Sequence, residues 1–245
     1  MRPFIPQPLT YFYMSRPAPC PYLPGQVEQM VFTDLGSTHD ANGLHDELSR
    51  VGFRRSQAIA YKPICRACNA CMPARVDATA FQPSRSQRRV LKRNADIEGH
   101  EHPAEAKREH FELFARYVRT RHGSGGMAEM TYDDYRSMVQ DSPVATRIVE
   151  FREHDRLIGI CLTDRLGDGL SLVYSAFEPD LERRSLGGFA ILWHLRQARI
   201  LGLDYVYLGY WIENSPKMAY KSRYRPLEIY TDGDWRRYQD ETDIS

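Results

Sequence analysis

The chain of 245 residues is 42% hydrophobic and 27% charged, with 15 Tyr, 10 Phe and 3 Trp, enough apolar bulk for a packed core and too much for a wholly disordered chain. No stretch approaches the roughly 18–20 apolar residues of a membrane-spanning helix, and prolines interrupt the opening MRPFIPQPLTYFYMSRPAPC as no signal peptide would, so a cytoplasmic setting without a membrane partner is expected. The net charge of +1 conceals an uneven layout: positions 50–93 hold 11 Lys/Arg with Asp77 as their one acid, while residues 101–245 hold 20 Lys/Arg against 24 Asp/Glu.

Such a block suits a polyanionic partner, the plainer alternative being a solvated basic face. In chain order, Pro3, Pro6, Pro8, Pro17, Pro19, Pro21 and Pro24 predict an extended arm over residues 1–24. A strand is expected over 26–35, a short helix over 44–52 ended by Gly52, and a second strand over 54–62. The run Cys65-x-x-Cys68-x-x-Cys71 falls in the connection that follows. Helix-favouring residues fill 84–95, with Ser84 as the cap. Gly99 and Pro103 interrupt the pattern at 99–106, where the junction between a smaller mixed α/β unit (1–100) and a second unit (101–245) is expected.

The second unit opens with a helix over 104–122 that puts Phe111, Phe114, Tyr117 and Val118 on one face, followed by an HGSGGM loop. A short helix from Thr131 has Asp134 in the capping-box position. Strands are expected at 146–151, 156–163 and 169–176, a helix over 185–201 and a last strand over 203–211. The order α-α-β-β-β-α-β ends in a β-α-β unit, which calls for a parallel strand pair.

Three clusters carry chemistry. Cys20, Cys65, Cys68 and Cys71 lie in the basic half, and four thiolates at this spacing suit a structural zinc or an iron–sulfur cluster. Ligand type does not separate the two, and thiols without a metal are the plain alternative. Cys161 reads as a small core residue. In RSQRRVLKRN, Arg85, Arg88, Arg89 and Lys92 share one helical face beside Arg93 and can span successive phosphates. In SPKMAYKSRYRP, Lys217, Lys221, Arg223 and Arg225 interleave with Tyr220 and Tyr224, a mixture suited to an unpaired nucleotide end or to a surface helix. SLGG at the start of the 185–201 helix could present backbone N–H groups to a ligand, or serve as a plain cap.

The segments CPYLPG, GFRRS, YKPICRACNACMPARV, SRSQRRVLKRN, DGLSLVY and LGYWIENSPKMAYKSRYRPLE together resemble the bacterial aminoacyl-tRNA–protein transferases, of the aspartate/glutamate leucyltransferase type, and more distantly the eukaryotic arginyltransferases. The resemblance spans nearly the whole chain. It implies transfer of an aminoacyl group, leucyl or alternatively arginyl, from charged tRNA to the α-amine of proteins beginning with Asp or Glu, which marks them for N-degron proteolysis. It also implies an acetyltransferase-type (GNAT) fold in the second half. Eukaryotic arginyltransferases carry a second cysteine where this chain has Leu23, so a four-cysteine site here would draw three ligands from 65–71.

An aminoacyl ester is already activated, so the enzyme's task is to place an amine against the carbonyl and stabilise the oxyanion, without a required cofactor. Asp168, Tyr174 and Glu213 are the candidates for catalytic proton transfer, being on or at the ends of the strands expected to flank the cleft. Their plainer roles are a turn aspartate, a core tyrosine and a strand-end glutamate. Arg54, Arg55 and Lys217 are the candidate receptors for the acidic N-terminus, and Arg85, Arg88, Arg89, Lys92, Arg93, Tyr220, Lys221 and Arg223 the candidates for tRNA binding. The rival functions are a zinc-stabilised RNA-binding module and a coenzyme-A acetyltransferase, of whose pyrophosphate loop SLGG is only a fragment.

Overall fold

The computed structural model describes residues 9–123 and 126–239. Pro3, Pro6 and Pro8 of the expected arm, and Ser124 and Gly125 of the HGSGGM loop, lie outside them. In chain order the elements are β1 (Tyr13–Met14), β2 (Ala18–Pro19), β3 (Val27–Glu28), β4 (Met30–Asp34), α1 (Ala41–Arg50), β5 (Arg54–Ser56), β6 (Ile59–Pro63), β7 (Met72–Asp77), α2 (Arg85–Arg93) and β8 (Ile97–Pro103). There follow α3 (Arg108–His122), α4 (Tyr132–Gln140), β9 (Thr146–Glu153), β10 (Arg156–Arg165), β11 (Gly169–Phe177), α5 (Leu186–Ile200), β12 (Tyr205–Trp211), β13 (Leu227–Thr231) and β14 (Asp234–Arg237).

Local chemistry fixes the helix starts. Ser84 and Gln87 close a reciprocal capping box on α2, and Thr131 and Asp134 do the same on α4, each satisfying amides that the first turn leaves without partners. The expected single strand over 54–62 is instead a hairpin, β5 and β6, turning at Gln57 with φ 51°.

The large sheet runs β14-β13-β7-β12-β11-β10-β9-β8, antiparallel throughout except for β11 and β12. Alternation along β10 divides the interior in two. Ile160 and Leu162 pack with Leu113 and Phe114 of α3 and Tyr135 of α4, whereas Cys161 lies on the other face with Leu186 and Phe189 of α5. The order α3-α4-β9-β10-β11-α5-β12, with its terminal parallel pair, is the GNAT-like arrangement. β7, from the expected first unit, sits between β12 and β13, and β8 runs through much of 99–106. The large sheet therefore draws strands from both sides of the expected junction. Gly99 is needed there because a Cβ would fall 2.4 Å from the indole nitrogen of Trp193.

A second sheet, β1-β4-β6-β5, packs with α1 on the first, Tyr210 of β12 donating to the carbonyls of Gly52 and Tyr61 while Asp46 and Arg50 of α1 meet Gly167 and Asp168. One buried ion cluster ties the two together. Asp164 of β10 is fully buried and receives Arg55 Nε at 2.6 Å and Nη2 at 2.7 Å, with Thr146 Oγ1 donating at 2.7 Å and His45 Nε2 at 3.1 Å. Burial alone would raise the Asp164 pKa, but the donated hydrogen bonds of His45 and Arg55 hold it below the usual carboxylate range. Removing one partner of such a pair costs about 3–5 kcal/mol.

Candidate active site

The site is a consequence of two bulges. β11 and β12 are paired only at Gly169–Tyr205, Leu170–Val206 and Ser171–Tyr207. Beyond these positions the register of β12 on β7 slips between Tyr207 and Gly209, and that of β11 on β10 slips between Leu162 and Thr163. Bulges bend the strands that carry them, so the parallel pair splays into a fork. An open fork strands backbone carbonyls on both arms, and buried carbonyls need donors.

Two basic side chains supply them. Arg54, reaching in from β5, donates Nη2 to the carbonyls of Leu172 and Val173, each at 3.2 Å. Its guanidinium lies over Gly209, where a Cβ would come within 2.3 Å of Cζ; with φ at +75° as well, the position admits only glycine in practice. Lys221, 4% exposed, donates Nζ to the Tyr210 carbonyl and to Met218 Sδ. Burial, reinforced by the charge of Arg54, pushes the Lys221 pKa well below the ordinary lysine value, with Cys71 opposing weakly. Among the described residues neither side chain has a carboxylate within ion-pair distance.

Aromatic side chains frame the fork. Tyr210 donates its hydroxyl to the carbonyls of Gly52 and Tyr61 at 3.3 and 3.0 Å, fastening the small sheet over this end of β12. Tyr220 is 41% exposed, and Tyr224 Oη lies 3.3 Å from where a Cβ on Gly188 would sit, at the N-terminus of α5. That helix begins at Ser185, left-handed at φ 54°, with no side-chain cap on its first amides.

The other end of the same strand pair is closed. Asp168 there accepts from Tyr207 Oη at 3.0 and 3.2 Å, faces Arg50 Nε at 3.6 Å, and its carbonyl receives the amides of Asp204 and Tyr205. Asp168 is a turn aspartate about 10 Å of strand away from the fork. Tyr174 lies on the splayed part of β11, but its ring packs on Phe114 at 5.6 Å and its hydroxyl is buried without a hydrogen-bond partner. Burial pushes its pKa up, which disfavours the phenolate. Glu213 is exposed just past the end of β12.

Arg55 is committed to Asp164 and cannot receive a substrate, and buried Lys221 cannot reach a phosphate. Lys217 is exposed in the turn after β12. Arg85, Arg88, Arg89, Lys92 and Arg93 are all exposed on α2. Arg88 and Arg93 donate to the carbonyls of Pro83 and Arg183, whereas Arg85, Arg89 and Lys92 have no ion pair among the described residues. Gln87 of α2 donates to the Arg223 carbonyl at 3.0 Å, so exposed Arg223 joins the same basic surface. Gly209 and the interior place of Lys221 were not anticipated. The isolated glycine in LDYVYLGYW, a signal for a bulge, could have marked the first.

Cys20, Cys65, Cys68 and Cys71 are half-buried free thiols beside the site. Burial, followed by the neighbouring sulfurs of Cys20, Cys65 and Cys68, pushes the Cys71 thiol up to about 12. The sulfurs gather, yet among the described residues no three His, Cys, Asp or Glu side chains are disposed to hold a metal ion. The donors do not form a ligand set as they stand, and no step of the chemistry below passes through one.

Residues 18–89 match the model of the arginine-tRNA-protein transferase N terminus, and residues 109–231 that of its C terminus. The chain belongs to this family of transferases. Members similar to it include aspartate/glutamate leucyltransferases from Gluconacetobacter diazotrophicus, 53% identical over 91% of this chain and 86% of the relative, and from Paramagnetospirillum magneticum, 50% identical over 93% of each. Among solved structures, the C-terminal domain (DUF2156) of a protein from Agrobacterium fabrum shares the fold at 15% identity and a TM-score of 0.51, over 68% of this chain and 62% of that one. Within the transferase, Arg54 comes from the N-terminal family segment and the fork it enters from the C-terminal one. No helix among the described residues is long and apolar enough to cross a membrane.

Proposed function

We propose that this transferase moves leucine from leucyl-tRNA to the α-amine of proteins that begin with Asp or Glu, in the cytoplasm, and so marks them for N-degron proteolysis. The observation that carries the acceptor's identity is the fork itself: a guanidinium held at its floor with no carboxylate among the described residues to neutralise it. Membership of the family and the names of relatives at 50–53% identity support the donor.

In this reading Arg54 receives the acidic side chain of the acceptor's first residue, using donors not spent on Leu172 and Val173, with exposed Lys217 at the mouth. A charge-assisted pair in a site screened from water is about twice as strong as a neutral hydrogen bond. The exposed cations of α2 and Arg223 hold tRNA phosphates, and Tyr220 offers a ring to the unpaired 3′ end. The ester is already activated, so holding the amine against its carbonyl is the larger part of catalysis, and neither a cofactor nor a covalent enzyme intermediate is needed.

The test is transfer of radiolabelled leucine from charged tRNA to peptides starting with Asp, Glu, Asn or Ala, beside arginyl-tRNA and acetyl-coenzyme A as alternative donors. Leucine should appear on the Asp and Glu peptides and on neither of the others. Preference for arginyl-tRNA would replace the donor, and acetylation would replace the reaction.

A further inference from the structure

We infer that Lys221 is the proton acceptor for the attacking amine, a catalytic role inside the fork; this rests on the fork being the transfer site. The three carboxylate and phenol candidates are poorly disposed for it. Asp168 is bound at the closed end, the Tyr174 hydroxyl is buried against Phe114, and Glu213 stands out in solvent.

Lys221 has the opposite qualities. It enters from the turn after β12, its amine lies on the splayed arm at Tyr210, and it neighbours Arg54. If Arg54 holds the side-chain carboxylate of residue 1, the α-amine of that residue, three bonds from the carboxylate carbon in Asp and four in Glu, falls beside Lys221. The groups that face Lys221 are Arg54 from β5, Cys71 from the segment before β7, Tyr210 on β12, and Met218 on its own turn. Tyr61, Tyr22 and Tyr220 lie just beyond them, near Arg54 or Tyr210, and the carboxylate of Glu28 lies on the far side of Cys71 and Tyr22. None of the groups that face Lys221 directly is a carboxylate.

The donor count fits a neutral amine. Uncharged Nζ has two N–H donors, which the Tyr210 carbonyl and Met218 sulfur occupy, and one lone pair left over. A charged ammonium would carry a third donor, for which the described residues offer no acceptor. Burial beside a guanidinium favours the neutral form for the same reason, as in other desolvated lysines that act near neutral pH.

The step balances as follows. The α-amine nitrogen attacks the ester carbonyl carbon, the C–N bond forms and the carbonyl electron pair moves onto oxygen. The proton shed by that nitrogen goes to Lys221 Nζ. Collapse then breaks the bond to the ribose 3′ oxygen, which takes the proton back from Lys221, leaving an amide, uncharged tRNA and a neutral lysine.

The experiment measures leucine transfer to an Asp-starting peptide between pH 6 and 9 for the wild type, Lys221→Arg and Lys221→Met, with tRNA binding and Tm recorded for each. The acceptor's own α-amine, with a pKa near 8, makes the rate rise with pH in every variant, so the base is read from the further pH dependence that the wild type shows and Lys221→Met and Lys221→Arg lack. Arg cannot lose its proton, so Lys221→Arg should fall by about 100-fold or more at every pH, as expected for loss of a general base, while tRNA binding holds. A second acceptor, hydroxylamine, is a far weaker base than the peptide amine and is unprotonated through most of the window, so with the enzyme-free reaction subtracted both variants should keep most of their transfer to it. Equal loss with peptide and hydroxylamine would make Lys221 a structural cap, and variants within threefold of wild type with the same pH profile would also overturn the inference. Failure of the wild type itself to transfer leucine would instead overturn the reading on which it rests.

Discussion

The two ends of the β11–β12 pair carry similar residues in opposite states. At the closed end Arg75 donates Nε to Glu228 at 2.8 Å and Nη1 to Tyr207 Oη at 3.2 Å, and stacks its guanidinium on Tyr205 and Trp235 with Cζ 3.5 and 4.3 Å from the ring centres. Tyr207 passes the chain on to Asp168, and Asp168 to Arg50. Each charge there meets its opposite. At the open end the Arg54 charge and the neutral Lys221 amine have backbone carbonyls and a thioether as their hydrogen-bond partners among the described residues, and the Arg54 charge meets no opposite there. Unbalanced buried charge is expensive, and a fold that balances it at one end of a strand pair and tolerates it at the other has a use for the second end.

The largest effect should come from dismantling the open end. Arg54→Met removes the cation, and Gly209→Ala displaces it, since the added methyl would lie 2.3 Å from the guanidinium carbon. Both should lower kcat/KM for an Asp-starting peptide by about 10²–10³-fold, the equivalent of one or two lost charge-assisted hydrogen bonds at roughly 1.5–3 kcal/mol each, with tRNA affinity unchanged. Full activity of Gly209→Ala would show that the guanidinium need not occupy the fork, and would remove the contrast between the two ends.

An intermediate effect belongs to α2, outside both ends. Arg85, Arg89 and Lys92 are exposed and have no acid partner among the described residues, so each change to Ala should reduce the slope of log affinity for tRNA against log salt by about 1. The triple variant should weaken binding tens of fold at moderate salt. Arg88 and Arg93 already donate to the carbonyls of Pro83 and Arg183, and changing them should do less. A filter-binding salt titration checks both statements; a slope that none of the three changes moves would take tRNA off this helix.

How much of this the sequence discloses depends on how local each feature is. The capping boxes at Ser84–Gln87 and Thr131–Asp134 lie within four residues and are readable, as is the strand and helix order from Thr146 to Trp211. β7 has no signal of its own, since MPARVD becomes a strand by pairing with β12 more than a hundred residues away. β8, IEGHEHP, is an edge strand without apolar alternation, and β13–β14 could have been found from the Asp232-Gly233 turn, both residues at positive φ. In the site, Arg54 and Arg55 look alike, yet strand alternation sends one to the fork and its neighbour to Asp164. Lys221 and Arg223, two residues apart in one basic segment, end up buried and exposed. Composition reveals that cations are present; only the packing separates those that bind a polyanion from those inside.

The smallest effect is expected at the closed end, and it bears on the comparison most directly. Asp168→Asn keeps a side-chain oxygen to accept from Tyr207 and gives up only the charge facing Arg50, a pair at 3.6 Å with the arginine half exposed. Such a pair is worth about 0–1 kcal/mol. Tm should therefore fall by a few degrees at most, and leucine transfer should stay within about threefold of wild type at every pH. A proton acceptor would behave otherwise, because an amide cannot take up the amine's proton and the rate would drop by about 10²-fold or more. A loss of that size with Tm unchanged would move the chemistry to the closed end, and would make Arg54 and Lys221 structural braces of the fork instead.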